Sequence, residues 1–549
     1  MARPNLASAL LGALITAAAA VAAPAVTGST AAASAADGLT VATDLGRVQG
    51  AATAGVRAFK GIPYAVPPVG ALRFEPPRPA KPWKGVLDAS AYRSACPQVA
   101  RFGVTDASED EDCLYLNVTV PAAPPAGGRK RPVIVWVHGG AFVGGSSNLY
   151  PLEYYARTGD VAIVSINYRL GVFGFMAHPA FAPAHDGSLG LEDQREALRW
   201  VKRNIAAFGG DPANVTFAGE SAGGASVCMQ LIAPDQSRGL FQKAIIQSLA
   251  CGVPLLSQAD AGQAGLEVAR RVHCDEAATA VACLRTKTVA ELLEAQTAVA
   301  AANPRAFAPS VGSTSVPRQG AEAFATGKFL RVPMINGGNR DEMRLYVAYA
   351  IQAGQAVNAE TYPKLLETLY GAHGPEVLKE YPASEFPAVP SALGTAESDY
   401  TPGGPLANCL YLEAGKDASR YVPVYEFEFT DRHAPPEMDD PGFEMGAVHA
   451  AELPYFFPHI SHNSKVDGPD LEPASQPVSE AMVAYWSSFA RTGTPAAPGL
   501  PAWPRFRNDG DVMRFEPGAI HPFDAAAEHH CRFWGKLYPQ ALGSAQGAR

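Results

Sequence analysis

Two different patterns of apolar and polar residues occur along the chain. Several continuous apolar runs have the length of a strand that other elements cover on both faces. The runs that we predict as buried strands are Pro132–Val137, Val161–Ile166, Val215–Ala218, Ala244–Gln247, Val332–Asn336 and Tyr421–Phe429. Between two of them, apolar residues recur at helical spacing from Leu191 to Phe208, opposite a charged side. This alternation of strands and helices between about residues 130 and 250 predicts an α/β sandwich.

The overall composition and charge limit the class of protein. The chain has 549 residues, of which 47% are hydrophobic and 18% are charged, so it can bury a large core and is neither disordered nor fibrous. Its formal net charge is −9 and its isoelectric point is about 5.8. Proteins that bind nucleic acid usually present a basic surface, so we expect no nucleic-acid partner.

The first 36 residues differ from the rest of the chain. A single arginine is their only charge, and an alanine-rich apolar stretch runs from Leu6 to Val26. Small residues follow as far as Ala35, which is typical of a secretory signal peptide with its cleavage site. Pro24 and Gly28 disfavour the alternative of a membrane-anchoring helix. We therefore predict a signal peptide over residues 1–36, a secreted mature protein with no stable membrane span, and disulfide-bonded cysteines.

One short motif has the form expected around a catalytic serine. Gly219–Gly223 reads G-x-S-x-G, with Ser221 at its centre. The pattern alone is weak, but the apolar run Val215–Ala218 precedes it and the helix-compatible run Gly224–Ile232 follows it. A nucleophilic serine on a sharp strand-to-helix turn needs this order, and small flanking residues let neighbouring backbone approach. We predict that Ser221 is a nucleophile.

A second motif supplies backbone donors for a negatively charged oxygen. Gly139 and Gly140 follow the predicted strand that ends at Val137, so their N–H groups can turn into a cavity. The N–H of Ala222, directly after the serine, supplies another donor. A phosphate-binding loop at Gly144-Gly145 is disfavoured because no Lys-Ser/Thr pair follows. We predict an oxyanion hole formed by these three N–H groups.

The base and the acid are less clear from the residues alone. A serine on this kind of turn is followed along the chain first by an Asp or Glu and then by a His, which leaves nine of the 12 histidines. His449 follows small residues and precedes an apolar stretch, and His373 fits by the same argument. Gly337–Glu342 follows a predicted strand, where a triad acid belongs. Spacing does not choose between Asp341 and Glu342.

Further motifs occur in a fixed order along the chain. They are Phe59–Ala65, Pro67–Phe74, Glu111–Asn117, Asn167–Phe175, Phe208–Thr216 and Trp503-Pro504. With the serine and glycine motifs, they resemble the type-B carboxylesterase/lipase family, which includes the cholinesterases, from about Thr40 to Leu542. The resemblance implies an α/β-hydrolase fold, with a mostly parallel central sheet flanked by helices and with long decorating insertions. It also implies a single carboxylesterase type-B domain over residues 37–549.

The resemblance chooses between the candidates that spacing left open. The family's base lies in a G-x-x-H-x-x-E-L/I pattern, which matches His449 and Glu452. Its acid takes the last position of G-x-N-x-D-E, which here is Glu342. The resemblance also implies that Ser248 is a partner of the acid and that Glu220 is a carboxylate beside the nucleophile. No further ligand at fixed spacing supports a metal at His449 and Glu452, so we expect no metal and no organic cofactor.

The same resemblance pairs six of the eight cysteines. The family bridges one pair and related cholinesterases bridge two more, which here are Cys96–Cys113, Cys274–Cys283 and Cys409–Cys531. Cys228 and Cys251 are left over. Cys228 lies about two helical turns beyond the serine and Cys251 follows the next strand, so the sequence leaves their pairing open.

These residues together predict a secreted serine esterase that cleaves small carboxylic esters through an acyl-enzyme, and we favour a monomer. Two alternatives remain, a long-chain lipase of the same fold and a non-catalytic cholinesterase-like adhesion or binding module. The loop Pro97–Asp112 contains no tryptophan, and its only aromatic residue is Phe102. In cholinesterases a tryptophan in this loop binds the quaternary ammonium, so we expect a general carboxylesterase rather than a cholinesterase.

Overall fold

The computed structural model describes residues 38–100, 107–181, 185–460 and 468–542. The predicted signal peptide and Phe102 lie outside these residues. Within them, no helix is both long and apolar enough to cross a membrane.

Fourteen strands are present in the described ranges. They are β1 Thr40–Ala42, β2 Arg47–Gln49, β3 Ala51–Thr53, β4 Val56–Pro63, β5 Val86–Asp88, β6 Tyr115–Pro121, β7 Arg131–Val137, β8 Ala162–Ile166, β9 Gly210–Glu220, β10 Lys243–Gln247, β11 Met334–Asn339, β12 Val424–Phe429, β13 Val512–Glu516 and β14 Ala519–Phe523. Strands β1, β2 and β5 form a small sheet. The others form one large sheet in the order β14-β13-β12-β11-β10-β9-β7-β8-β6-β4-β3.

The centre of the large sheet is parallel and its margins are antiparallel. From β8 through β7, β9, β10, β11 and β12 to β13, every neighbouring pair is parallel. Strands β6, β4 and β3 extend one side in antiparallel pairs, and β14 closes the other. The carboxyl ends of the parallel strands therefore meet along one edge, where residues from several strands can converge.

Eighteen α-helices of the described residues surround or follow the sheet. They are α1 Glu153–Gly159, α2 Gly171–Gly174, α3 Leu189–Asn204, α4 Ala222–Ile232, α5 Pro234–Ser237, α6 Gln258–Arg271, α7 Ala280–Thr286, α8 Val289–Ala302, α9 Gly320–Thr326, α10 Arg344–Gln352, α11 Tyr362–Tyr370, α12 Gly374–Glu380, α13 Val389–Asp399, α14 Asn408–Ser419, α15 Gln476–Thr492, α16 Ala525–Glu528, α17 Cys531–Leu537 and α18 Pro539–Leu542.

Helices cover both faces of the sheet, as the continuous apolar strands predict. Successive side chains of a strand point to opposite faces. In β7, Val133, Val135 and Val137 join the core cluster that contains Leu198 and Val201 of α3. Ile134 and Trp136 join the opposite cluster, with Trp486 and Phe489 of α15. The result is the α/β sandwich expected from the sequence.

All six predicted strands are present, with shifted boundaries. Strands β11 and β12 begin at Met334 and Val424, two to three residues later than predicted. Each begins directly after a proline, Pro333 or Pro423, which has no N–H to donate to the ladder. Strand β9 is longer than predicted and continues to Glu220, directly before the serine motif.

Four disulfides join all eight cysteines. Three are the pairs that the resemblance implies, Cys96–Cys113, Cys274–Cys283 and Cys409–Cys531. The fourth, Cys228–Cys251, joins the pair that the sequence left open.

Candidate active site

Ser221 occupies a strained turn between β9 and α4. Its backbone has φ 56° and ψ −123°, outside the regions that side-chain-bearing residues prefer. The N–H of Ser221 donates to the carbonyl of Gln247 at 3.0 Å, which ties the turn to the end of β10. A side chain at Gly223 would place its Cβ only 2.0 Å from the carbonyl oxygen of Val137. The glycine of the motif therefore lets α4 approach β7 closely.

A chain of hydrogen bonds leads from Ser221 to a buried carboxylate. His449 Nε2 lies 2.9 Å from Ser221 Oγ. On the other side of the ring, His449 Nδ1 lies 2.7 Å from Glu342 Oε2. His449 is 6% exposed and Glu342 is fully buried. The structure thus brings together the three residues predicted from the Gly-x-Ser-x-Gly motif and the family resemblance.

Glu342 is held by partners that the sequence analysis missed. Its Oε1 accepts hydrogen bonds from the N–H of Asn339 at 2.9 Å and from the hydroxyl of Tyr411 at 3.0 Å. Ser248 was expected to partner this acid, but its buried hydroxyl has no hydrogen-bond partner among the described residues. The expected hydrogen bond between Ser248 and Glu342 is therefore not present in the structure.

The neighbouring carboxyl group, Asp341, points elsewhere. Its Oδ1 pairs with Arg344 at 3.1 Å, and its Oδ2 accepts from the N–H of Ala447 at 3.1 Å. Asp341 therefore supports the segment that leads to His449. His373, the alternative base, lies in an exposed 3₁₀ turn, Gly371–His373, at 3.8 Å from Glu376, and does not line the cavities at Ser221.

Glu220 adds a second carboxylate on the serine side of the imidazole. Its Oε1 lies 3.2 Å from His449 Nε2 and has no assigned hydrogen bond, and the residue is 3% exposed. Burial raises the pKa of Glu220 to about 8. Burial alone would lower the pKa of His449, but Glu220 and Glu342 raise it more, to about 9. Glu220 therefore favours the protonated form of His449.

Another buried carboxyl group completes the network behind the site. Glu452 Oε1 accepts from Gln247 Nε2 at 2.9 Å, and Oε2 accepts from Asn339 Nδ2 at 2.7 Å. The indole N–H of Trp486 donates to Gln247 Oε1 at 3.1 Å. Glu452 therefore joins the strand ends of β10 and β11. Within the described ranges, no group of three or more His, Cys, Asp or Glu side chains could hold a metal ion.

The predicted oxyanion loop turns back on itself beside the serine. The N–H groups of Val143 and Gly144 both donate to the carbonyl of Gly140 at 3.0 Å. Gly140 has φ 107°, and a Cβ there would lie 2.3 Å from the carbonyl of Gly144. Gly139 and Gly140 line the cavity at Ser221. Ala222 is the first residue of α4, whose first N–H groups have no partner within the helix.

Two apolar cavities meet at Ser221. The first, about 800 Å³ with its open mouth, lies on the His449 side and is lined in part by Tyr150, Tyr346 and Tyr349. The second cavity, about 920 Å³ with its open mouth, lies on the Ala222 side. Ala141, Ser221 and Tyr346 line both cavities. A molecule with two apolar arms can therefore place its central group at the serine hydroxyl.

The sheet order and the serine-bearing turn between a central parallel strand and a helix define an α/β-hydrolase fold. Comparison with known sequences gives the family: the chain belongs to the carboxylesterase family, which it matches over residues 37–534. It is thus a carboxylic ester hydrolase, as the resemblance predicts. The para-nitrobenzyl esterase of Bacillus subtilis is 34% identical over 480 residues, which cover 85% of this chain and 93% of that enzyme.

Two further comparisons also match esterases. The acetylcholinesterase of Bungarus fasciatus is 31% identical over 545 residues, covering 92% of this chain and 87% of that enzyme. A solved structure of a PNB esterase has a TM-score of 0.72 and 32% identity, covering 90% of this chain and 99% of the other.

Proposed function

We propose that the protein is a secreted serine carboxylesterase that cleaves neutral, apolar esters through an acyl-enzyme. The observation that carries this proposal is the hydrogen-bonded chain from Glu342 through His449 to Ser221, which ends at the junction of two apolar cavities. In this proposal, Ser221 is the nucleophile, His449 the general base and Glu342 the acid that orients the imidazole.

The chemistry follows from these contacts. As Ser221 Oγ attacks the ester carbonyl, its proton passes to His449 Nε2. The carbonyl oxygen becomes negative and accepts hydrogen bonds from the N–H groups of Gly139, Gly140 and Ala222. The bond to the alcohol then breaks, and His449 gives its proton to the departing oxygen. A water molecule, deprotonated by the same imidazole, attacks the acyl-serine and releases the acid and the free serine.

In this proposal, the two cavities bind different parts of the substrate. The departing alcohol must lie near His449 Nε2, which protonates it, so it belongs in the cavity that His449 lines. The acyl chain then extends into the cavity lined by Ala222, Ala225 and Met229. Both linings are mainly apolar, which supports a substrate without charged groups on either side.

Glu220 has a secondary role in this proposal. When His449 accepts the serine proton, a carboxylate 3.2 Å from Nε2 stabilises the imidazolium. The same contact keeps His449 protonated to a higher pH, so the neutral base forms later in a pH titration.

Export is the remaining part of the proposal. The four disulfides support an oxidising compartment. We assign residues 1–36 to a cleaved signal peptide and residues 37–549 to a single, monomeric hydrolase domain.

The test is covalent labelling combined with substitution. A fluorophosphonate probe should label the wild-type protein at Ser221, identified by peptide mapping. Ser221→Ala should abolish labelling and lower turnover of p-nitrophenyl butanoate by about four or more orders of magnitude. Ser384→Ala is the control, because Ser384 is exposed and lines neither cavity at Ser221, and it should keep activity within about threefold.

The same assay separates the alternatives. A non-catalytic binding module would give neither labelling nor turnover. A lipase would hydrolyse emulsified long-chain glycerides faster than dissolved short-chain esters.

A further inference from the structure

The Cys228–Cys251 disulfide lies next to the larger of the two cavities at Ser221 and joins two of the segments that line it. One wall is the face of α4 that carries Ala222, Ala225 and Met229. Cys228 directly precedes Met229 on this helix and is fully buried. The disulfide is therefore attached to the helix that begins at the nucleophile.

A second part of the lining comes from an irregular segment, Leu249–Leu256, which we call the wall segment. It supplies Leu249, Val253, Pro254, Leu255 and Leu256 to the cavity lining. Cys251 lies in the middle of this wall segment and is 2% exposed. Both cysteines belong to the same buried apolar cluster as Ala225, Met229 and Leu249.

The wall segment is hydrogen-bonded to the rest of the chain mainly at its two ends. It contains no helix or strand. At one end, the N–H of Ala250 donates to the carbonyl of Pro405 at 2.9 Å. At the other end, Leu255 exchanges two hydrogen bonds with the side chain of Gln319, and the carbonyls of Pro254 and Leu256 accept from Arg305 and Val311. Between these ends, the disulfide is the covalent link to α4. Without it, apolar side chains on an irregular segment can shift while the rest of the fold stays intact.

We infer that the Cys228–Cys251 disulfide is a specificity-determining element: it fixes the Leu249–Leu256 wall against α4 and so sets the preference for acyl chain length. The inference rests on the proposed function, because it takes the larger cavity as the acyl site. An octanoyl group is six methylenes longer than an acetyl group, so we expect it to make more contacts with the side chains of the wall segment. In this inference, the disulfide fixes the position of side chains that longer acyl chains contact.

The experiment compares p-nitrophenyl octanoate with p-nitrophenyl acetate in variants of the full chain. Cys228→Ala/Cys251→Ala removes the link. Cys274→Ala/Cys283→Ala is the matched control, since that disulfide joins the end of α6 to α7 and neither cysteine lines a cavity at Ser221. Cys228→Val/Cys251→Ala removes the same link but refills part of the lost volume, in case the double alanine variant folds poorly.

We expect the octanoate-to-acetate ratio of kcat/KM to fall in both variants that lack Cys228–Cys251, mainly through a higher KM for octanoate. The fall should be about fourfold for each methylene that loses its apolar contact. The control variant should keep the wild-type ratio. A ratio equal to wild type in a folded variant without Cys228–Cys251 would overturn the inference.

Two other results would count against the disulfide inference and against the proposed function, respectively. If both variants without Cys228–Cys251 fail to fold while the control folds, the disulfide serves stability and the inference is wrong. If the wild-type protein hydrolyses neither ester, the proposed function itself fails.

Discussion

Among the residues that the structure describes, two buried histidines are each held by carboxylates, and one of the two contacts a hydroxyl at a cavity. His449 contacts Glu342 through Nδ1, and its Nε2 faces Ser221 Oγ and Glu220. His529 contacts Asp399 Oδ1 through Nδ1 at 2.6 Å, and its Nε2 contacts Glu428. Both rings are almost fully buried.

The electrostatics of the two sites are similar. In each case burial lowers the histidine pKa, but the carboxylates raise it more, to about 9 for His449 and about 10 for His529. The difference lies in the second ring nitrogen. At His529 both nitrogens face carboxylates, so the proton is held and the ring acts as a fixed cation. At His449 the hydroxyl of Ser221 lies at Nε2 beside Glu220, and in the proposed mechanism this hydroxyl exchanges a proton with the ring. We propose that this hydroxyl distinguishes the catalytic histidine from the structural one.

The largest expected effects come from replacing each of the two histidines. His449→Ala should lower kcat for p-nitrophenyl butanoate by about four orders of magnitude or more, with little loss of stability. His529→Ala leaves two buried carboxylates without their cation, which should cost about 3–5 kcal/mol of unfolding free energy. Urea unfolding and kcat per folded molecule separate the two effects. A folded but inactive His529→Ala protein would contradict the structural role.

The next test separates the two adjacent acids. Glu342→Gln removes the charge that orients His449 and stabilises its cationic form, so kcat should fall about 10³–10⁴-fold. Asp341→Asn keeps an oxygen for the N–H of Ala447 and should keep kcat within about tenfold, since it does not touch the imidazole. Steady-state kinetics of both proteins provide the measurement. Equal losses, or the reverse order, would show that the acid is assigned to the wrong neighbour.

A smaller effect concerns the pH dependence of acylation. Histidine must be neutral to accept the serine proton, so kcat/KM rises with pH through the pKa of His449. An unperturbed histidine would titrate at about 6.5. The carboxylates raise this pKa, so the rise should be centred above that value. In Glu220→Gln one of these carboxylates is gone, and the rise should move to lower pH. Profiles from pH 5 to 10 that coincide for the two proteins would exclude the Glu220 contact.

The smallest expected effect concerns a cationic substrate. The carboxyl group of Glu220 contacts His449, and the cavity on this side is otherwise lined mainly by apolar side chains. Its aromatic lining consists of tyrosines, which bind cations less well than tryptophan. We expect kcat/KM for butyrylcholine to exceed that for 3,3-dimethylbutyl butyrate, its neutral isostere, by less than about tenfold. A larger preference would mean that these groups form a cation site after all.

The sequence predicted those elements that depend on residues close together in the chain. The strand pattern before Ser221 and the helical pattern after it lie within about twenty residues, and the turn forms where they meet. The choice of His449 and Glu342 needed the family resemblance, because spacing alone left His373 and Asp341 as alternatives. The structure brings the chosen pair together at hydrogen-bonding distance.

Contacts between distant residues were not predictable in the same way. Tyr411, which donates to Glu342, lies 69 positions away, and no local pattern marks it. The His529 site joins residues 130 and 101 positions apart. The Cys228–Cys251 pairing depends on how closely an irregular segment approaches α4, which periodicity does not report. Such contacts arise only when elements far apart in the chain pack together.

The Cys409–Cys531 disulfide has a consequence for the integrity of the chain. It spans 122 positions, and His449 lies within the loop that it closes. This loop also contains a stretch from Arg432 to Glu444 that has no helix or strand and is exposed or half-buried, so we expect it to be the place where a protease cuts. A single cut there leaves both fragments joined through sulfur, so the histidine cannot be separated from the serine by diffusion. The nicked protein should migrate as one species without reductant and as two with it.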